Sequence, residues 1–201
     1  LVAYYEARVA GYPDDLDAMA RLARTLSLQN RPTDAAAWYR KAIELAPSNV
    51  ALRESLIEQL VRDGHIVDAI AQYEQMEPFQ SGNRDHIEQW GQLYLSRKDL
   101  PLQERRSRAA EVWERIIIDR PKDPVALSRL AELLRRAELT DRVLDLYRKA
   151  IDLAPNEPQY REYLGEYLHQ RQRPEEALAA WKEIAAGDRR TKDNLLRVSE
   201  V

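Results

Sequence analysis

Tyr39-Arg-Lys-Ala-Ile-Glu-Leu-Ala-Pro47 and Tyr147-Arg-Lys-Ala-Ile-Asp-Leu-Ala-Pro155 are the same nine residues, apart from one acid exchanged for another. They lie 108 residues apart, which is three periods of 34 plus six. A period between about twenty and fifty residues marks an array of stacked supersecondary units, because one such unit cannot bury its apolar face alone. In such an array a binding surface is expected in place of a catalytic centre.

Aligning the chain on the proline that closes the period divides it into units 16–49, 50–83, 84–123, 124–157 and 158–191, the third longer by six residues. Within a unit, positions 4, 7, 8 and 11 form one helical stripe, since spacings of three and four stack side chains on one face. Met19, Leu22, Ala23 and Leu26 make it in the first unit, Ile87, Trp90, Gly91 and Tyr94 in the third, and Leu127, Leu130, Ala131 and Leu134 in the fourth. A second stripe follows a turn: Ala35, Tyr39, Ala42; Ala69, Tyr73, Met76; Ala109, Trp113, Ile116; Val143, Tyr147, Ala150; Ala177, Trp181, Ile184. The recurring aromatics are therefore read as core, with Trp38, one residue off register, partly exposed.

The boundaries carry their own chemistry. Asp15, Asn49, Asn83 and Asp123 stand where a first helix begins, and their side-chain oxygens can accept from the free N–H groups of its first turn. Pro124 and Pro158 fall near the first helical position, where a missing N–H costs little. Between the paired helices lie the breakers Asn30-Arg-Pro32, Asp63-Gly64, Asp99-Leu-Pro101 and Arg173-Pro174. The pattern predicts hairpins of two antiparallel helices.

Composition excludes several classes. The 201 residues contain no cysteine, which removes disulfides, thiolate metal sites and cysteine nucleophiles. Charged residues make up 32%, and no apolar run approaches the roughly 18 residues of a membrane span. A net charge of -3 gives no general affinity for nucleic acid or anionic lipid. The expectation is a soluble protein, with the cytoplasm favoured over other compartments. His65, His86 and His169 come from different units without a shared ligand spacing, and no metalloprotease, phosphate-loop or serine-hydrolase motif occurs. Catalytic residues, metal and cofactor are all expected to be absent.

A small residue at position 8, an aromatic at 24, a proline at 32 and the 34-residue period together resemble the tetratricopeptide repeat. Arg53 and Arg161 at position 4, Ile57 at position 8, and the missing closing prolines of the second and fifth units depart from that pattern. The resemblance implies an all-α, right-handed superhelical solenoid of antiparallel helix hairpins, a single array over 1–201. Residues 1–15 would be the second helix of a preceding repeat and 192–201 the start of a following one, so the chain reads as a segment of a longer protein. It also implies a concave groove lined by first-helix positions 2, 5, 9, 12 and 13. On this chain the candidate groove residues are Arg24, Glu54, Glu58, Arg62, Glu88, Gln92, Glu132, Arg135, Glu162 and Glu166. The implied function is a protein–protein interaction scaffold that holds a peptide or partner helix, favouring a segment with basic residues because acids dominate the stripe. A chaperone-tail carboxylate clamp needs lysine at position 5 and asparagine at 9, and Ala20 with Arg24, Glu54 with Glu58 and Glu88 with Gln92 all lack them. Two alternatives stand beside this: RNA binding by a related helical repeat, against which net acidity and the closing prolines speak, and a domain that positions an enzyme elsewhere in a parent chain.

Two local features remain. Arg97, Lys98, Arg105, Arg106 and Arg108 gather around the six-residue insertion, either as a solvated loop or longer second helix or as a secondary docking site for an acidic partner. Tyr4, Tyr5 and Val9 near one end, and Leu195, Leu196 and Val198 near the other, lack the neighbours an internal repeat would give them. End-to-end self-association is expected from that.

Overall fold

In a computed structural model of the chain, which describes residues 1–186, every regular element is helical. The helices are α1 (Val2–Gly11), α2 (Leu16–Leu28), α3 (Pro32–Leu45), α4 (Val50–Arg62), α5 (Ile66–Met76) with a following 3-10 turn (Glu77–Phe79), and α6 (Arg84–Ser96). Then come α7 (Leu102–Trp113), α8 (Arg115–Ile118), α9 (Pro124–Arg136), α10 (Val143–Leu153), α11 (Pro158–Gln170) and α12 (Pro174–Ala186). The first helix of each predicted unit starts at that unit's first residue.

The starts follow from the caps. Asp15 accepts from the Ala18 N–H at 2.9 Å, Asn49 from Leu52 at 3.2 Å and Asn83 from His86 at 3.2 Å. Asp123 accepts from Val125 at 2.9 Å and from Ala126 at 3.3 Å. Each satisfies donors that the helix itself leaves unpaired. Glu157, ahead of α11, makes no such side-chain bond, and Pro158 at the first position relieves the need for one there. Pro32 and Pro174 likewise open second helices.

The stops share one device. At position 15 of four units, Asn30, Gly64, Glu138 and Gln172 have φ of 59°, 79°, 60° and 58°. The N–H of that residue reaches back to the carbonyl of Ser27, Val61, Arg135 or His169, and the next N–H to Leu26, Leu60, Leu134 or Leu168, at 2.8–3.1 Å. These paired bonds are a left-handed helix stop, which satisfies two of the orphan carbonyls and reverses the chain into the second helix. Only Gly64 takes that conformation without steric cost. Gln172→Gly is therefore expected to stabilise the fold by about 0.5–1 kcal/mol. A urea midpoint unchanged or lowered in that variant would contradict the reading.

The described residues form two compact units, the first Leu1–Ala109 and the second starting at Ala110, so that the division falls within α7. In the first unit α1 packs on α2, and each helix through α4 and α5 to α6 packs on its successor. The second unit repeats this from α8 through α12. Both predicted stripes are buried wherever a unit supplies them, from Leu22 and Tyr39 to Leu130, Tyr147 and Trp181. Trp38 is half-buried against Leu22, Leu26 and Ala35, with the Lys41 ammonium 4.8 Å from its ring centroid.

Arg53 occupies an apolar register position, yet it is buried. Its Nε donates to the Pro47 carbonyl at 3.1 Å, and its Nη1 to the Gln72 and Gln75 side-chain oxygens at 3.1 and 3.0 Å. Arg161, at the same position, donates to the Pro155 carbonyl at 2.5 Å and to Glu183 at 2.8 Å. An arginine at position 4 thus ties the residue that closes the previous repeat to its own second helix. The insertion lengthens the second helix: α7 begins after a loop over 97–101, and α8 continues it past a break at Glu114.

One terminal expectation is corrected. Val9 is buried, because the inner face of α1 packs on α2; Tyr5 is half-buried and Tyr4 exposed. Leu195, Leu196, Val198 and the whole of 192–201 lie outside the described residues.

Candidate functional site

The groove positions can be located by the bonds that cross between first helices. In the first unit Arg62 Nη1 donates to Ser27 Oγ at 2.8 Å; in the second Arg135 Nη1 donates to Gln170 Oε1 at 2.8 Å. Each bond joins position 12 of one repeat to position 13 of the next. Within each unit, α2 and α4, and likewise α9 and α11, therefore present this edge side by side.

Deeper on the same face, the position-24 tyrosines reach across from the second helices. Burial pushes the Tyr39 phenol up, with Arg24 and a hydrogen bond from Ser55 pulling the other way and Glu58 adding to the rise. Burial, then the charges of Glu54 and Glu58, push Tyr73 up to about 12. Tyr73 donates to Gln89 Oε1 at 2.8 Å. Tyr147, fully buried, donates to Glu132 Oε2 at 3.1 Å, and burial followed by Glu132 drives its pKa up further still. Each ring is core, as expected, and each hydroxyl stands among position 5, 6 and 9 side chains. The sequence reading missed this second role; its signal is tyrosine, not phenylalanine, at position 24.

These phenols make stability depend on alkaline pH. Their folded pKa values lie above the ordinary value near 10, so the stabilisation is fully present below about pH 10 and is lost as pH rises through the folded values. We expect an ultraviolet titration to show at least these three tyrosines ionising only as helical circular dichroism disappears. Complete ionisation near pH 10 with the helices intact would contradict the burial of those hydroxyls.

In the first unit Arg24, Glu58 and Gln92 are exposed, and Glu54 and Glu88 are half-buried. Glu54 Oε1 lies 2.7 Å from His86 Nε2 on the next first helix, while His86 Nδ1 is buried without a partner. In the second unit an open groove runs between α9 and α11. Val125, Ser128, Glu132, Arg135 and Arg136 line it from α9, and Gln159, Tyr160, Tyr163 and Glu166 from α11. Glu162 is half-buried and not part of that lining.

Glu132 departs from its expected role. Arg135 donates to it through Nε at 3.0 Å and Nη2 at 2.7 Å, Arg136 through Nε at 2.9 Å, and Tyr147 adds a fourth bond. Burial by itself would raise its pKa, but the hydrogen bonds from Arg135 and Arg136 overcome that and hold it below the usual carboxylate range. A carboxylate with all four acceptor sites filled offers nothing to a basic partner. Its sign alone suggests a free acid, but its spacing of three and four from the two arginines already points to pairing.

The basic cluster is tied down in a similar way. Arg97 forks onto Asp99, Arg108 pairs with Glu104 at 3.0 Å, and Arg105 Nη1 donates to the Leu95 carbonyl at the end of α6, 3.2 Å away. Lys98 is exposed and Arg106 half-buried. Among the described residues no group of three or more His, Asp or Glu is placed to hold a metal, and no helix is long and apolar enough to cross a membrane.

No curated protein matches the chain in sequence. Among solved structures, YrrB, described as a TPR protein with an unusual peptide-binding site, matches at 17% identity over 100% of both chains with a TM-score of 0.53. MamA matches at 14% identity over 92% of this chain and 94% of its own, also with a TM-score of 0.53. MamA from Desulfovibrio magneticus RS-1 gives 16% identity, coverage of 85% and 93%, and a TM-score of 0.51. At these identities the likeness is one of fold. The Tetratricopeptide repeat family profile matches residues 2–50, 103–158 and 144–191, more than half of the chain. The match follows the same repeat period, buried stripes and helix hairpins, and the chain belongs to the tetratricopeptide repeat family.

Proposed function

We propose that this protein is an interaction scaffold that holds an extended peptide or partner helix on the face that first helices form within a unit. The observation that carries the reading is the open groove between α9 and α11, lined by residues of both first helices. YrrB, with the same fold, is described as having a peptide-binding site, which supports this use of the fold. In the first unit Glu54, Glu58 and Glu88 outnumber Arg24 and Arg62, so that stretch favours lysine or arginine, with apolar Leu28 and Val61, both exposed, adding contact area.

A library of random linear peptides panned on the protein tests this. Clones rich in lysine or arginine should be enriched and should lose binding to the Glu54→Lys/Glu58→Lys/Glu88→Lys variant. Their affinity should also fall as salt rises. Clones that bind the triple variant as tightly as the parent across a salt series would place the interaction surface elsewhere.

A further inference from the structure

We propose that the groove between α9 and α11 takes an acidic segment of a partner chain, glutamate or aspartate side chains docking on Arg135 and Arg136 and an apolar residue further along the segment meeting Val125. The inference rests on the groove reading above and gives the second unit a preference opposite to that of the first.

The charges set the preference. Three arginines, Arg129, Arg135 and Arg136, face two glutamates in the lining. Glu132 is already saturated by Arg135, Arg136 and Tyr147, so it acts on the guanidinium groups and not on a ligand. It fixes them: Arg135 is held by both carboxylate oxygens and by Gln170, and so meets a ligand with little rotamer freedom left to lose. Arg136 spends only its Nε on Glu132 and has a side chain 64% exposed, leaving its Nη pair to donate outward. A planar fork offered in this way matches a carboxylate with two parallel bonds. Val125, exposed at the start of α9, supplies an apolar contact about 15 Å along the helix from the two arginines.

The test uses the whole chain and two fluorescent peptides, acetylated and amidated so that only side chains carry charge. One alternates glutamate with leucine, the other lysine with leucine. The glutamate peptide should bind, weaken as salt rises, and lose about tenfold in affinity in Arg136→Glu, roughly the value of one charge-assisted hydrogen bond. It should not weaken in Glu54→Lys/Glu58→Lys/Glu88→Lys. Circular dichroism of Arg136→Glu should match the parent, because the residue is exposed. No binding of the glutamate peptide at low salt, or binding indifferent to Arg136→Glu, would overturn the inference. Failure of the broader groove reading looks different: the lysine peptide would then be insensitive to the Glu54, Glu58 and Glu88 changes as well.

Discussion

Gly165→Leu should destabilise the protein by about 3 kcal/mol, the upper end of what overpacking costs. Gly165 lies inside α11, where glycine normally costs about 0.5–1 kcal/mol relative to alanine, so something must favour it. The cause is Trp181 on α12. A Cβ at Gly165 would stand 2.5 Å from Trp181 Cε2 and 2.6 Å from Cδ1, and closer still to Nε1. The indole cannot swing away, since it is 4% exposed and its ring lies 5.9 Å from that of His169. Gly165→Ala brings the same clash with less bulk, partly offset by better helix propensity, and should cost about 1 kcal/mol. Adding Trp181→Leu makes the mechanism visible: the double variant Gly165→Ala/Trp181→Leu should lose less than the sum of the two single losses in urea denaturation. Additive losses would show that the small residue serves some purpose other than the indole.

The period alone made the helices, their pairing and their buried stripes legible, because burial at spacings of three and four leaves a mark in residue type. The caps were equally readable at Asp15, Asn49, Asn83 and Asp123, where short polar side chains are chemically required. Other features left no such mark. Glu138 and Gln172 adopt the left-handed conformation without being glycine, since the two bonds of the helix stop and the leucines behind it over-determine the turn. Glu132 looked like a free acid because sign was counted before partners. The rings of Tyr39, Tyr73 and Tyr147 are legible as core, whereas the bonds of the Tyr73 and Tyr147 hydroxyls to first-helix side chains are not. The site was thus legible as positions on a face and not as a field, since the field depends on which charges cancel within hydrogen-bonding distance.

Arg53 offers the second large effect, and one whose sign depends on the replacement. It is 6% exposed, and burial holds its guanidinium pKa below the ordinary value, so keeping it charged there costs stability. Its bonds to the Pro47 carbonyl and to the Gln72 and Gln75 amides offset that cost. Arg53→Ala removes the bonds and the packing of the long stem together, and should cost about 3 kcal/mol. Arg53→Met restores the stem without the charge. The partners left behind are neutral, and Gln75 is exposed enough to turn to water, so no uncompensated charge stays buried. Met19 fills the same position in the first repeat and is fully buried. Arg53→Met is therefore expected to lose less than half of what Arg53→Ala loses, measured as unfolding free energies in urea. Arg161→Ala should cost less than Arg53→Ala, because its carboxylate partner Glu183 is 66% exposed and already screened by solvent. If methionine proves as damaging as alanine, the bonds to Pro47 and the two glutamines, and not the stem, hold the second repeat against the first.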